Sequence, residues 1–179
     1  MFKRILMAAA VVVLGMGMAQ AVSPDAFEIS VTPSLNYSVA IATPASGIEF
    51  TGIDVGTTYV SADTATVTND GNVSADWKIT GTALDDWTLG AAPAANVARV
   101  LAILNSEAAG SGDFDTSNDD IGPEANMDAT NFTGDQTGND VAASAQRLMS
   151  IRLDSPTDTS YDSTQRFRVE VTAYPSSEF

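Results

Sequence analysis

The clearest indication of the fold comes from residues 64–80, which read TATVTNDGNVSADWKIT. Apolar and polar side chains alternate in its first part, TATVT, and again in its last part, WKIT. Side chains of a β-strand point alternately to its two faces, so a period of two predicts two half-buried strands. The Asp70-Gly71 pair between them is a strong β-hairpin signal, and it predicts that the two strands pair with each other.

The same alternation recurs along most of the chain. Turn-forming Pro, Gly, Asn and Asp residues separate the alternating runs, which lie at residues 27–32, 37–41, 149–153 and 167–172. Short alternating strands with such punctuation are typical of two packed antiparallel sheets. The sequence therefore predicts an all-β fold, an Ig-like antiparallel β-sandwich of about 7–9 strands.

Two stretches depart from this pattern. Residues 94–106 are dense in apolar side chains, which suits a buried helix as well as a strand. Recurring β-branched residues and the all-β surroundings favour a strand from about Val97 to Leu104. Residues 107–140 are rich in Gly, Asp, Asn, Ser and Thr, and they predict one long acidic loop. Loops of this length in compact domains are usually functional or mobile.

Residues 1–21 have the pattern of a secretory signal peptide. Two basic residues precede an apolar run at residues 5–16, and residues 19–21, AQA, form a small-x-small cleavage site. An apolar run of about 12 residues is shorter than the roughly 20 that span a bilayer as a helix. We therefore expect cleavage after Ala21, a single domain at residues 22–179 and no membrane span within it.

The composition excludes several classes of function. The chain has no Cys and no His, which removes disulfides, Ser-His-Asp and Cys-His nucleophile systems and the usual zinc sites. All 23 acidic residues lie beyond residue 21 and two of the eight basic residues lie before it, so the exported part carries a net charge of −17. Such a charge repels nucleic-acid phosphates and anionic membranes. We expect a secreted, periplasmic or cell-surface protein that has no catalytic activity and binds no nucleic acid.

The acidic loop contains one candidate metal site. Oxygen-bearing residues follow the spacing of an EF-hand calcium loop at Asp113, Asp115, Ser117, Asp119 and Glu124. Asn118 stands where the turn glycine belongs, and the surrounding sequence predicts no flanking helices. A solvated acidic loop without a cofactor is therefore the default interpretation, and calcium is the one candidate cofactor.

Trp87 is a candidate ligand-binding residue because an exposed tryptophan can stack on a sugar ring. It follows Asp85 and Asp86, and adjacent strand residues point to opposite faces, so these two carboxylates are not expected to act on one glycosidic bond. Trp77 lies within an alternating strand, and the role of a buried tryptophan in a sandwich core explains it at least as well as a role in a binding motif.

Residues 47–81, GIEFTGIDVGTTYVSADTATVTNDGNVSADWKITG, combine an aromatic strand, a Val-Gly turn and a V-T-N-x-G turn. This stretch resembles Ig-like sandwich domains related to abnormal-spindle and surface-layer proteins. With the later blocks RLMSIRLDSPTDTS and RFRVEVTAYP, nearly all of residues 22–179 is similar to a family of exported bacterial proteins. The resemblance implies an Ig-like fold and an exported location, and it implies no activity.

A weaker similarity links the chain to WxL cell-wall-binding domains. The matching residues are Trp77-Lys78-Ile79 and Trp87-Thr88-Leu89, while the late strand RFRVEVTAYP lacks the second motif of those domains.

Two functions remain open at this point. The first is a structural or adhesive cell-surface protein that acts through contacts with itself or with other envelope proteins. The alternating run at residues 27–32 is the segment best suited to pair with a neighbour's sheet edge. The alternative is a calcium-assisted module that binds a surface glycan or the cell wall through Trp87 and the acidic loop.

Overall fold

The computed structural model describes residues 28–122 and 133–176. The predicted signal peptide lies outside these residues. The chain divides into two units, residues 1–33 and residues 34–179. Within the described residues, no helix has the length and apolar character needed to cross a bilayer.

The regular secondary structure of the described residues is almost entirely β, as the alternation predicts. They contain one 3₁₀ helix, Ser111–Asp113, and eight strands: β1 Val39–Ala42, β2 Thr58–Val60, β3 Ala65–Asn69, β4 Ala75–Ala83, β5 Thr88–Leu89, β6 Val97–Asn105, β7 Gln146–Asp154 and β8 Phe167–Pro175. The all-β prediction is confirmed.

Six of these strands form the larger sheet. Its order is β1-β3-β7-β6-β5. β2 also pairs with β7, at the end of that strand, whereas β3 pairs with its beginning. Every pair is antiparallel except the short β5–β6 pair, which is parallel. β7 is the middle strand of this order, with β3 and β2 along one edge and β6 along the other.

The smaller sheet consists of β4 and β8, which pair antiparallel over nine residues each. It packs face to face on the larger sheet around a shared apolar core. In the strand order of an immunoglobulin-type sandwich, β1, β3, β7 and β6 take the places of A, B, E and D, while β4 and β8 take those of C and F. Among the described strands, none takes the place of G, on the outer side of β8.

Trp77 of β4 is fully buried in the core between the sheets. The interpretation of Trp77 as a buried sandwich tryptophan is therefore confirmed. The alternating residues Met149, Ile151 and Leu153 of β7 face it from the larger sheet, also buried.

The strand predicted from Val97 to Leu104 is confirmed as β6, which continues to Asn105. Its apolar density reflects burial on both faces. One face joins the main core, and the other carries Leu101 and Ile103, which pack with Phe114 in a second cluster. Double burial removes the polar half of the alternation, and this explains why the stretch also suits a helix.

The hairpin predicted at Asp70-Gly71 is wrong. β3 pairs with β1 and β7, whereas β4 pairs with β8, so the turn carries the chain from one sheet to the other. Asn69 fixes this corner: its side-chain amide donates to the carbonyls of Val73 and Val141 at 2.9 and 2.7 Å. Its Oδ1 accepts a hydrogen bond from the N–H of Gly71 at 3.0 Å. A turn signal marks a reversal of the chain, but it does not determine whether the two strands share a sheet.

One side of the sandwich is closed by residues 119–122 and 133–141, here named the closing segments. The N–H of Ile121 donates to the carbonyl of Val100 in β6 at 3.0 Å, and its carbonyl accepts from the N–H of Gly81 in β4. The second segment likewise bonds through its backbone to both strands, at Leu104, Trp77 and Ala75. The part of the acidic loop that the structure describes thus joins the two sheets.

The strand predicted at residues 27–32 is not formed in its described part, which begins at Glu28. Ile29 and Val31 are 74% and 78% exposed. The alternation shows which side chains share a face, but a strand also requires a neighbouring backbone that accepts its hydrogen bonds. Residues 28–32 have no such neighbour in a strand.

Candidate functional site

A cleft of about 960 Å³ opens between the two sheets on the side of β8. The larger sheet supplies an apolar wall that includes Val100 and Ile151, and β8 supplies Phe167 and Val169. Loop residues from the β1–β2 and β7–β8 connections form the rim. An exposed apolar cleft of this kind usually marks an interaction site.

β8 forms one margin of this cleft. Its inner edge pairs with β4 over nine residues, and no described strand pairs with its outer edge. A strand carries backbone donors and acceptors along both edges, so an uncovered edge is a template for another strand. The outer edges of β4 and β6 differ from it, because the closing segments and β5 bond to them.

The side chains of β8 alternate as the sequence predicts. Val171 is buried, while Phe167 and Val169 on the same face are only half-buried. Arg168 and Glu170 on the other face are exposed. The core is therefore incompletely covered at the beginning of β8, where the cleft lies.

An ion pair fixes the beginning of β8 against the end of β4. Arg166 donates to Asp85 through its backbone N–H at 2.8 Å and through its guanidinium at 2.9 Å. The side-chain hydrogen bond from Arg166 holds the pKa of Asp85 below its ordinary value. Asp85 thus has a structural contact with the strand that borders the cleft.

Trp87 lines the cleft, but the residue is only 6% exposed and packs in the main core. Its indole N–H donates to the hydroxyl of Thr159 at 2.9 Å, and its backbone N–H donates to Gln165 at 2.8 Å. Stacking on a sugar requires a free ring face, and this placement supplies little of one. Glycan binding through Trp87 stays a prediction.

Four of the five predicted calcium ligands lie in the described residues, and Glu124 lies outside them. Asp113 accepts a hydrogen bond from the N–H of Gly110 at 2.7 Å, and Asp115 accepts one from the N–H of Ser117 at 2.8 Å. These bonds stabilise local turns. Over the described part of the chain, no three acidic side chains are grouped to hold a metal ion. Calcium binding by this loop stays a prediction.

Asp119 is fully buried and connects the two closing segments. Its carboxylate accepts hydrogen bonds from the N–H and the hydroxyl of Thr133 at 3.1 and 2.6 Å, and from the N–H of Asp115 at 2.6 Å. Burial raises the pKa of Asp119 above its ordinary value, although these hydrogen bonds act in the opposite direction. Burial also raises the pKa of its neighbour Asp120. Protein donors therefore occupy the Asp119 carboxylate, which acts as a structural connection.

Comparison with protein-family models and with curated proteins finds no match to this sequence. The resemblance to exported Ig-like proteins therefore stays a prediction, while the β-sandwich itself is observed. Among the described residues, the cleft and the uncovered edge of β8 are the features that bear on function.

The sequence did not single out this cleft. The alternation of Phe167 and Val169 marks a strand that is apolar on one face, and this part of the prediction is confirmed. Whether the outer edge of that strand is covered depends on the order of strands in the sheet, which is a long-range property. The available signal is the alternating run at residues 27–32, whose described part, residues 28–32, has no partner among the described strands.

Proposed function

We propose that this protein is a structural or adhesive subunit of the cell surface, which acts by binding copies of itself or other envelope proteins. The signal-like leader and the resemblance to exported Ig-like proteins support an extracytoplasmic location. The absence of His and Cys, together with a buried Trp87, favours a role in protein contacts over catalysis or sugar binding.

The observation that carries this proposal is the uncovered edge of β8 beside an apolar cleft. A nine-residue strand is long for an exposed edge, and edges of this kind readily pair with another chain. Three exposed apolar side chains on the open side, Ile41, Val55 and Tyr161, also line the cleft. A surface with backbone hydrogen-bonding groups and apolar contacts is suited to bind a further β-strand.

Light scattering of the purified protein over a range of concentrations tests self-association, with and without calcium. We expect the average mass to rise with concentration to at least twice that of one chain. A mass equal to one chain at every concentration would contradict self-association in both conditions.

Two charge variants test whether the cleft is the contact surface. Val55, which lines the cleft, is 47% exposed, and Leu84, which does not, is 44% exposed. We expect Val55→Asp to weaken association at least tenfold, because a carboxylate at the rim opposes apolar contact. Leu84→Asp introduces the same charge at a similar exposure and should leave association unchanged. Equal effects of the two variants would place the contact elsewhere.

A further inference from the structure

We propose that residues 28–32 of one copy enter the cleft of a second copy and pair with the outer edge of β8. This inference deepens the proposed function and rests on it, because it identifies the segment and the groove through which copies bind. The added strand would take the place that the seventh strand has in an immunoglobulin-type sandwich.

The first observation is a segment that has the pattern of a strand but no partner. Ile29 and Val31 alternate with Glu28, Ser30 and Thr32, and the two apolar side chains are largely exposed. Prolines at positions 24 and 33 flank the alternating run, and none lies within it. Proline is tolerated at the ends of a strand but interrupts the hydrogen-bond ladder inside it, so the run can pair without interruption.

The second observation is a groove that lacks a strand. The half-buried Phe167 and Val169 belong to β8, which the described fold leaves unpaired on its outer edge. A strand paired there would direct alternate side chains into the cleft, toward the core of the sandwich. Ile29 and Val31 are correctly spaced to enter together, because residues i and i+2 lie on the same face.

The faces also match in polarity. With Ile29 and Val31 turned inward, Glu28, Ser30 and Thr32 share the outer face with Arg168 and Glu170 of β8, which are both exposed. All of these side chains are polar and suit a face in contact with water, and Arg168 offsets the repulsion between Glu170 and Glu28. The outward face of the added strand is therefore compatible with its surroundings.

Chain length favours a second copy over insertion of the segment into its own cleft. Asn72, at the corner that leads into β4, fixes the chain just after the segment. Its side-chain Oδ1 accepts a hydrogen bond from the N–H of Asn36, and its Nδ2 donates one to the carbonyl of Ser34, both at 2.8 Å. Val169, the proposed neighbour of Ile29, pairs with Gly81, six residues or about 20 Å along β4 from Ala75. The five residues from Ser34 back to Ile29 reach only about 17 Å when fully extended.

Paired charge variants test the inward face of the segment. Ile29→Asp with Val31→Asp should weaken self-association at least tenfold, because two carboxylates cannot enter an apolar cleft without losing hydration. Ser30→Asp with Thr32→Asp adds the same two charges to the outward face and should change association less than threefold. Both pairs lie in an exposed segment, so we expect folding to be unaffected, and circular dichroism checks this. Equal loss in both pairs would overturn the proposed inward face.

Disulfide cross-linking tests the location directly, because the chain has no cysteine of its own. In a mixture of Ile29→Cys and Val169→Cys proteins, mildly oxidised, peptide mapping should find a disulfide that joins position 29 of one copy to position 169 of another, as distinct from dimers of either variant with itself. The matched mixture of Ser30→Cys and Val169→Cys should give at least fivefold less of the link between positions 30 and 169. A double variant, Ile29→Cys with Val169→Cys, distinguishes insertion into the same chain, which would give an internal link in a species of single-chain mass.

The outcomes separate the two proposals. Association by light scattering without the Ile29–Val169 link would overturn strand insertion and leave the proposed self-association intact. A protein of single-chain mass at all concentrations would overturn both proposals. An internal link in the double variant, with no linked dimer in the mixture, would show that the segment covers its own cleft.

Discussion

Asp154 connects three strands of the larger sheet through one buried carboxylate. It ends β7 and accepts hydrogen bonds from Arg152 of the same strand, from Arg99 of β6 and from Thr58 of β2. The side chain is 5% exposed and each arginine side chain is 15% exposed. Burial alone would raise the pKa of Asp154, but the hydrogen bonds from Arg152, Arg99 and Thr58 together hold it below its ordinary value.

At the scale of single residues, we expect Asp154→Asn to lower the free energy of unfolding by about 3 kcal/mol at pH 7, because it leaves two largely buried guanidinium groups without their counter-charge. Urea denaturation measures this loss. Asp86→Asn removes the same charge from an exposed position and should change stability by less than about 0.5 kcal/mol. Equal losses would show that the charge network is not what stabilises this region.

The lowered pKa of Asp154 makes the stability difference between wild type and Asp154→Asn depend on pH. A carboxylate with a lowered folded pKa stabilises the protein fully above the ordinary value of 3.8, and this contribution is lost as the pH falls through the folded pKa. The stability difference between wild type and Asp154→Asn should therefore shrink below about pH 3.8. Asp120 titrates at higher pH because burial raises its pKa. A stability difference between the two proteins that stays constant until both unfold in acid would contradict a lowered pKa for Asp154.

At the scale of elements, the contact between β4 and the first closing segment depends on a glycine. A Cβ on Gly81 would lie 2.5 Å from the carbonyl oxygen of Ile121 and 3.1 Å from a methyl carbon of Leu89. The first neighbour is backbone held by hydrogen bonds to both sheets, so it cannot move without opening the closed side.

We expect Gly81→Ala to lower the free energy of unfolding by about 1–3 kcal/mol through overpacking. Gly112→Ala is the control, since a Cβ there meets nothing within 4 Å. It should leave stability unchanged or raise it slightly, because alanine restricts the unfolded chain more than glycine does. Denaturant midpoints measure both variants. Wild-type stability in Gly81→Ala would show that the closing segment adjusts freely.

At the scale of the whole molecule, net charge and the uncovered edge act against each other. Residues 22–179 are strongly anionic, so copies repel one another, whereas the cleft and the edge of β8 favour contact. Repulsion between exposed charges is screened by salt, and the screening length falls from about 10 Å at 0.1 M to about 3 Å at 1 M.

Self-association should therefore strengthen as sodium chloride rises from low to near-molar concentration, because repulsion is screened while apolar burial is not. Sedimentation equilibrium across the salt series gives the association constant. Magnesium and calcium chloride at matched ionic strength serve as controls, since equal effects of the two indicate screening alone. Association that weakens with salt would mean that ion pairs hold the copies together.

Most strands were predictable because their signal is local. A period of two in side-chain polarity reflects one buried face, and it located β1, β3, β4, β7 and β8. It also supported β6, although burial on both faces concealed the alternation there. The wrong hairpin prediction at Asp70-Gly71 also comes from a local signal. The sequence of a turn is similar whether the chain returns to the same sheet or crosses to the opposite one.

The all-β class, the strand positions and the anionic character follow from local polarity and composition, which any chain segment carries without its neighbours. Tertiary structure decided which strands pair, where the acidic loop joins the sheets and which edge stays open. These features depend on hydrogen bonds between residues far apart in sequence, such as Gly81 with Ile121 and Asn69 with Val141. The cleft beside β8 exists only because the described strands leave that edge unpaired, a fact that no local pattern contains.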